Sequence, residues 1–239
     1  MTGTTRHSHL LLVLCLLAAI GRADDVAPAH SVERVLFLGN SITRHGPAPK
    51  IGWTSDWGMA ASAREKDFVH LVAGALAKPP ETAPRIMIKN IAAFERQPAA
   101  YDLEMQLKDA FEFQADLIIV AIGENVPKLE SQKSKARFSA SFQKLLRRLN
   151  ADHDPIIVVR SCFWANQAKD EILRSGCRDV GGIFVDIGKL GNDEANYARS
   201  ERKFQHKGVA AHPGDKGMRA IADAILQAIG QAQPSPSKQ

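Results

Sequence analysis

The sequence predicts an α/β fold, a three-layer α/β/α sandwich around a five-stranded parallel sheet. Three observations predict it. Short, apolar, β-branched runs recur along the chain, longer stretches with helical spacing separate them, and the runs are apolar on both faces. Strands covered by helices on either side read this way, because neither face meets water. The runs are "RVLFLG" (34 to 39), "RIMIKNI" (85 to 91), "DLIIVAIG" (116 to 123), "PIIVVRS" (155 to 161) and "GIFVDIG" (182 to 188). Between and after them, helical spacing predicts helices over about 58 to 77, 99 to 114, 130 to 149, 166 to 176 and 215 to 231. In the last, "MRAIADAILQAI" carries one apolar stripe and Asp215 stands where a cap is expected.

The ends of the chain read differently. Arg6, His7 and His9 precede an unbroken apolar run from Leu10 to Ile20, and small residues follow at Gly21 and Ala23. This is the pattern of a secretory signal peptide, residues 1–23, cut after Ala23. The run is about half the length that spans a bilayer, so no membrane insertion is expected once it is removed. Residues 24–232 then form one domain, and "QPSPSKQ" (233 to 239) has nothing to bury and reads as a disordered tail.

The formal net charge is +5, and losing Arg6 and Arg22 with the leader lowers it to about +3, spread without a basic stripe. Nucleic acid is excluded as a partner on that ground. Cys162 and Cys177 lie in the secreted part, where an oxidising compartment permits a disulfide that spacing alone does not establish. No P-loop, G-x-G-x-x-G or H-E-x-x-H occurs, so no cofactor and no metal are called for.

In an open parallel sheet, ligands bind at the carboxyl ends of the strands. Those ends carry "GNSIT", "NIAAFER", "GENV" and "SCFW", with "GVAAHPGD" just before the final helix. They hold a hydroxyl in Ser41, an amide in Asn125 and an imidazole in His212, the parts acyl transfer needs. A serine hydroxyl needs a base within hydrogen-bond reach, and a tetrahedral oxyanion needs preorganised N–H donors. The nucleophile-elbow string G-x-S-x-G is missing, since Thr43 stands where its second glycine would be.

The order "FLGNSIT", "GEN", "HPGDKGM" resembles the SGNH, or GDSL-like, hydrolase superfamily of esterases and lipases. That resemblance implies a flavodoxin-like sheet, Ser41 as nucleophile and His212 as base. It further implies an oxyanion hole formed by the Asn125 side chain, following Gly123, and by backbone amides of Ser41 and Ala92. Two positions depart from the family pattern. Its histidine is preceded three residues earlier by an aspartate, where this chain has Val209. Either Asp186, Asp193, Glu201 or Glu124 serves instead, or a backbone carbonyl holds the ring in a Ser-His dyad of the kind known among carbohydrate esterases of the superfamily. The second departure is in "NIAAFER", which lacks the family's oxyanion glycine; Asn90 is the firmer match there.

After the serine, "RHGPAPKIGWTSDWGM" is a long loop with two tryptophans. Trp53 and Trp57 can stack on sugar rings while Asp56 and Arg44 bond hydroxyls, or the indoles can roof the core. Trp164 can join either arrangement. His45 and His206 read as loop residues, and Asp215 as a cap. The expected function is a secreted or periplasmic esterase acting on a small-molecule or glycan ester, acetyl foremost. A lipase or thioesterase on the same scaffold, and a non-catalytic glycan-binding protein, are the alternatives.

Overall fold

The computed structural model describes Met1, residues 32–77 and residues 83–232, so the predicted signal peptide and the tail from 233 lie outside the described residues. Five strands form one sheet: β1 (Arg34–Gly39), β2 (Arg85–Asn90), β3 (Leu117–Ala121), β4 (Ile156–Arg160) and β5 (Ile183–Val185). All neighbours are parallel and the order is β2-β1-β3-β4-β5. The fold is the three-layer α/β/α sandwich expected, in flavodoxin-like order. The chain leaves β1 to one side for β2, then returns past β1 to build β3 on the other. The sheet's topological switch therefore lies between β1 and β3, where a crevice opens at the strands' carboxyl ends.

Side chains alternate across β1 and feed two cores. Val35 and Phe37 face a layer built by α1 (Phe68–Leu76) and α9 (Asp215–Ala232), with Phe68, Val72, Met218, Ile221 and Ile225 among its members. Leu36 and Leu38 face the opposite layer, where α5 (Gln132–Leu149) and α6 (Gln167–Asp179) contribute Phe138, Phe142, Leu145 and Leu173. Caps fix where these helices begin. Asp67 accepts from the His70 N–H at 2.8 Å, Asn166 accepts from Lys169, and Ser131 forms a reciprocal capping box with Ser134.

Three expectations change. The helix expected from 58 begins only at Phe68, because Asp67 caps it and its other carboxylate oxygen takes the Gly58 N–H at 3.0 Å. The helix expected over 99 to 114 is two short ones, α3 (Leu103–Gln106) and α4 (Lys108–Glu112), separated at Leu107, whose φ of −119° and ψ of 16° are not helical. Asp215 is not the cap of α9. Glu201 at the end of α7 (Ala198–Glu201) accepts the Asp215 and Lys216 N–H groups, each at 2.8 Å, while Asp215 binds Ser62 and Lys66. Two further short helices matter to the site, α2 (Ala92–Arg96) after β2 and α8 (Lys207–Ala210) before α9.

Cys162 and Cys177 are both free thiols, buried beneath the sheet. Burial pushes both thiols up, Cys177 to about 11. No helix among the described residues is long and apolar enough to cross a membrane.

Candidate active site

The turn after β1 is built by Asn40, which is completely buried. Its carbonyl accepts from Thr43 and Arg44 N–H, and its Oδ1 accepts from Ile42 N–H at 3.1 Å. Gly39 has no room for a side chain, because a Cβ there would overlap Thr43. This tight turn lifts Ser41 to the crevice and leaves its N–H without an acceptor among the described residues.

Ser41 Oγ lies 2.8 Å from His212 Nε2, although 171 residues separate them. The other ring nitrogen, Nδ1, lies 2.7 Å from the Gly208 carbonyl oxygen. A carbonyl can only accept, so neutral His212 carries its proton on Nδ1 and presents the Nε2 lone pair to the serine hydroxyl. Trp164 stands edge-on to the imidazole, with centroids 5.6 Å apart and planes at 89°. Burial holds His212 below the ordinary imidazole value, opposed by the Gly208 bond and the Glu124 charge and reinforced by nearby His45.

None of the four carboxylates considered as orienting acids bonds this ring. Asp186 pairs with Arg174 and accepts from Ser161, Asp193 accepts from Lys216 and Ala195, Glu201 caps α9, and Glu124 pairs with Arg160. Val209 itself is 1% exposed and packs in a small apolar cluster with Trp53, Met59, Ala60 and Ala198. The acceptor is the backbone of α8, whose start is held by His206, with Nδ1 accepting from Gly208 N–H at 3.1 Å.

Asn125 follows β3, and Gly123 before it adopts φ of +128°, a region that favours glycine; a Cβ would also strike the Cys162 sulfur. The Asn125 amide donates from Nδ2 to Glu95 Oε2 at 2.8 Å. Glu95, on α2, is completely buried, and its Oε1 accepts from Gly123 N–H at 2.6 Å, Asn125 N–H at 3.2 Å and Asn40 Nδ2 at 3.2 Å. Beside it, Glu124 Oε2 accepts from the same Asn40 Nδ2 at 2.6 Å, and Glu124 Oε1 meets the buried Arg160 guanidinium at 2.6 Å. Burial and the Glu124 charge push Glu95 up, against the pull of its N–H donors. Burial would raise Glu124 as well, but Arg160 outweighs it and holds Glu124 below the usual carboxylate range.

These residues frame a cleft of about 340 Å³ lined by Ser41, Asn125 and His212, with Asn90, Ala92 and Val209 among its walls. Ala92 is placed at the cleft, but its N–H already donates to Asn90 Oδ1 at 3.0 Å, so the expectation that it is a free oxyanion donor is corrected. The loop residues expected to meet a sugar stand apart from this cleft. Trp53 is 6% exposed and its indole N–H donates to His45 O, while Trp57 donates to Ala61 O. Asp56 is engaged by Arg44 in a two-pronged pair at 2.9 and 2.7 Å. None of the three is among the residues lining the cleft. No cluster among the described residues is suited to a metal ion.

The chain superposes on a family two carbohydrate esterase from Cellvibrio japonicus at 16% identity and a TM-score of 0.51, covering 86% of this chain and 62% of that one. It superposes on the acetyl xylan esterase AlAXEase at 17% identity and a TM-score of 0.51, covering 82% and 99% of the two chains. A protein from Bacteroides uniformis assigned as a GDSL-like lipase gives 12% identity and a TM-score of 0.53, covering 84% and 96%. The chain shares the α/β/α fold of these proteins. No family model and no curated protein matches the sequence. This chain spans about 62% of the Cellvibrio esterase's length, and at these identities the likeness speaks for the fold alone.

The sequence had signalled Ser41, Asn125 and His212 through three short motifs. It had not signalled Asn40, Glu95 and Arg160, which hold the strand ends together from below. Their only trace is polar side chains placed directly at the ends of buried strands or, for Glu95, inside "AAFER".

Proposed function

We propose that the protein is a secreted serine ester hydrolase that removes acyl groups, acetyl foremost, from a carbohydrate. The observation that carries this reading is the Ser41 Oγ to His212 Nε2 approach of 2.8 Å, with His212 Nδ1 anchored on Gly208 O. It fixes the tautomer in which the imidazole accepts the serine proton.

In the reaction, Ser41 Oγ attacks the ester carbonyl carbon as its proton passes to His212 Nε2. The tetrahedral oxyanion takes hydrogen bonds from the Ser41 N–H and from the Asn125 Nδ2 hydrogen not given to Glu95. The carbon–oxygen bond to the alcohol then breaks, and the alcohol leaves with the His212 proton. Water, deprotonated by His212, attacks the acyl-enzyme and frees Ser41. A cleft of about 340 Å³ is at the small end of ligand pockets, which supports a short acyl group over a long chain. The esterases named above are carbohydrate-active by their own descriptions, which supports a glycan substrate, and residues 1–23 support secretion.

The test is acetate release from a panel of acetylated glycans together with fluorophosphonate labelling. Wild type should label and turn over, and Ser41→Ala should do neither. Full acetate release by Ser41→Ala would remove the mechanism, and preference for long acyl esters would move the substrate to lipids. Glycan binding without any labelling would identify a non-catalytic binding protein.

A further inference from the structure

We infer that Glu95 is the positioning residue of the oxyanion hole: its carboxylate sets the rotation of the Asn125 amide and ties the Ser41 turn to it. This rests on the reading of Asn125 as an oxyanion donor.

Burying Glu95 is costly. Glu95 is fully buried and no cation touches it among the described residues, since Arg160 pairs with Glu124 instead. A buried carboxylate without a counter-charge is a poor contributor to stability, and an amide or an apolar side chain of like size would serve the core better. What it gains is acceptors. All four of its bonds are to N–H groups, and they come from both segments that frame the proposed oxyanion: Asn40 beside Ser41, and Gly123 and Asn125 after β3.

An ionised carboxylate can only accept, so it selects the amide rotamer of Asn125 that turns Nδ2, and not Oδ1, towards it. One Nδ2 hydrogen is spent on Glu95 at 2.8 Å and the other is left to donate. Rotating the amide by half a turn would put a lone pair of Oδ1 where the donor stood, and a developing oxyanion would meet repulsion. The same carboxylate takes the Asn125 backbone N–H, so both ends of the residue are held from one anchor.

Glu95→Gln tests this with nearly unchanged shape. A glutamine cannot accept at both ends. Keeping its oxygen on Gly123 N–H turns its own NH₂ towards Asn125, whose amide must flip to oblige. The expected result is kcat lower by on the order of 10- to 100-fold with KM within about threefold, a fraction of the loss from deleting an oxyanion donor outright. The melting temperature should be retained or raised. In a double-mutant cycle, Glu95→Gln added to Asn125→Ala should cost almost nothing further, because the amide it positions is gone. A Glu95→Gln enzyme with wild-type kcat overturns the inference, as does full additivity with Asn125→Ala. If Ser41→Ala is inactive while Glu95→Gln is unimpaired, only this inference fails. If Ser41→Ala is active, the hydrolase reading fails first. Should Glu95→Gln fold poorly, Glu95→Asp decides: it keeps the charge, and partial recovery of kcat is expected of a positioning carboxylate.

Discussion

His212 Nδ1 hydrogen-bonds the Gly208 carbonyl oxygen at 2.7 Å, so the imidazole is oriented by a main-chain dipole belonging to a residue four positions earlier, in α8. A carbonyl fixes the tautomer as a carboxylate would, but it carries no full negative charge to stabilise the imidazolium. As the proposed base, His212 is accordingly weaker than in a full triad, and burial weakens it further.

The pH dependence of kcat/KM follows from that depression. In the proposed mechanism His212 accepts the serine proton only when neutral, so activity should rise as pH rises through its free-enzyme value. That value lies below the ordinary imidazole pKa of about 6.5. The acid limb should therefore have its midpoint below pH ~6.5, and the enzyme should keep more than half of its maximal kcat/KM there. Glu95 is a nearby group pushed above its ordinary value, and Glu95→Gln should leave the limb in place if His212 sets it. A midpoint at or above the ordinary value, measured on an acetyl ester with a pH-independent leaving group, contradicts the assignment.

Restoring the family's aspartate should not repair a triad. Val209 is 1% exposed among Trp53, Met59, Ala60 and Ala198, and His212 Nδ1 already has its acceptor. Val209→Asp places a carboxyl in an apolar cluster with no donor waiting for it. The expectation is a loss of about 2–4 kcal/mol in stability by urea unfolding and no gain in kcat/KM. A tenfold rise in kcat/KM would mean that the introduced carboxylate reaches Nδ1.

The sheet was legible because its strands are buried on both faces, and a run such as "DLIIVAIG" admits few other readings. The approach of Ser41 and His212 was legible in the order of three short motifs. Gly208 was not, since a backbone carbonyl leaves no signature in a side-chain sequence. Glu95 was hidden for another reason: one acidic residue in a short helix looks like a solvated charge until the strand ends close over it. For Trp53 and Trp57 the sequence left two readings open. Aromatic residues beside Asp56 and Arg44 suit a sugar, yet both indole N–H groups are satisfied by the loop's own carbonyls, and Trp53 shields Val209.

The buried pair Glu124–Arg160 supplies a last expectation, about stability. Arg160 is 0% exposed, and its guanidinium is the cation beside a group of two carboxylates joined through Asn40. Arg160→Met leaves Glu124 without its counter-charge next to Glu95, and should cost about 3–5 kcal/mol. Glu124→Gln alone strands the arginine and should also be costly. The double variant removes both charges at once, so its loss should fall well short of the sum of the two, giving a coupling of about 1–3 kcal/mol by urea unfolding. Strict additivity would show that the two side chains are held by their separate backbone partners, Phe163 N–H for Glu124 at 3.0 Å and Ser161 O for Arg160 at 2.8 Å, and not by each other.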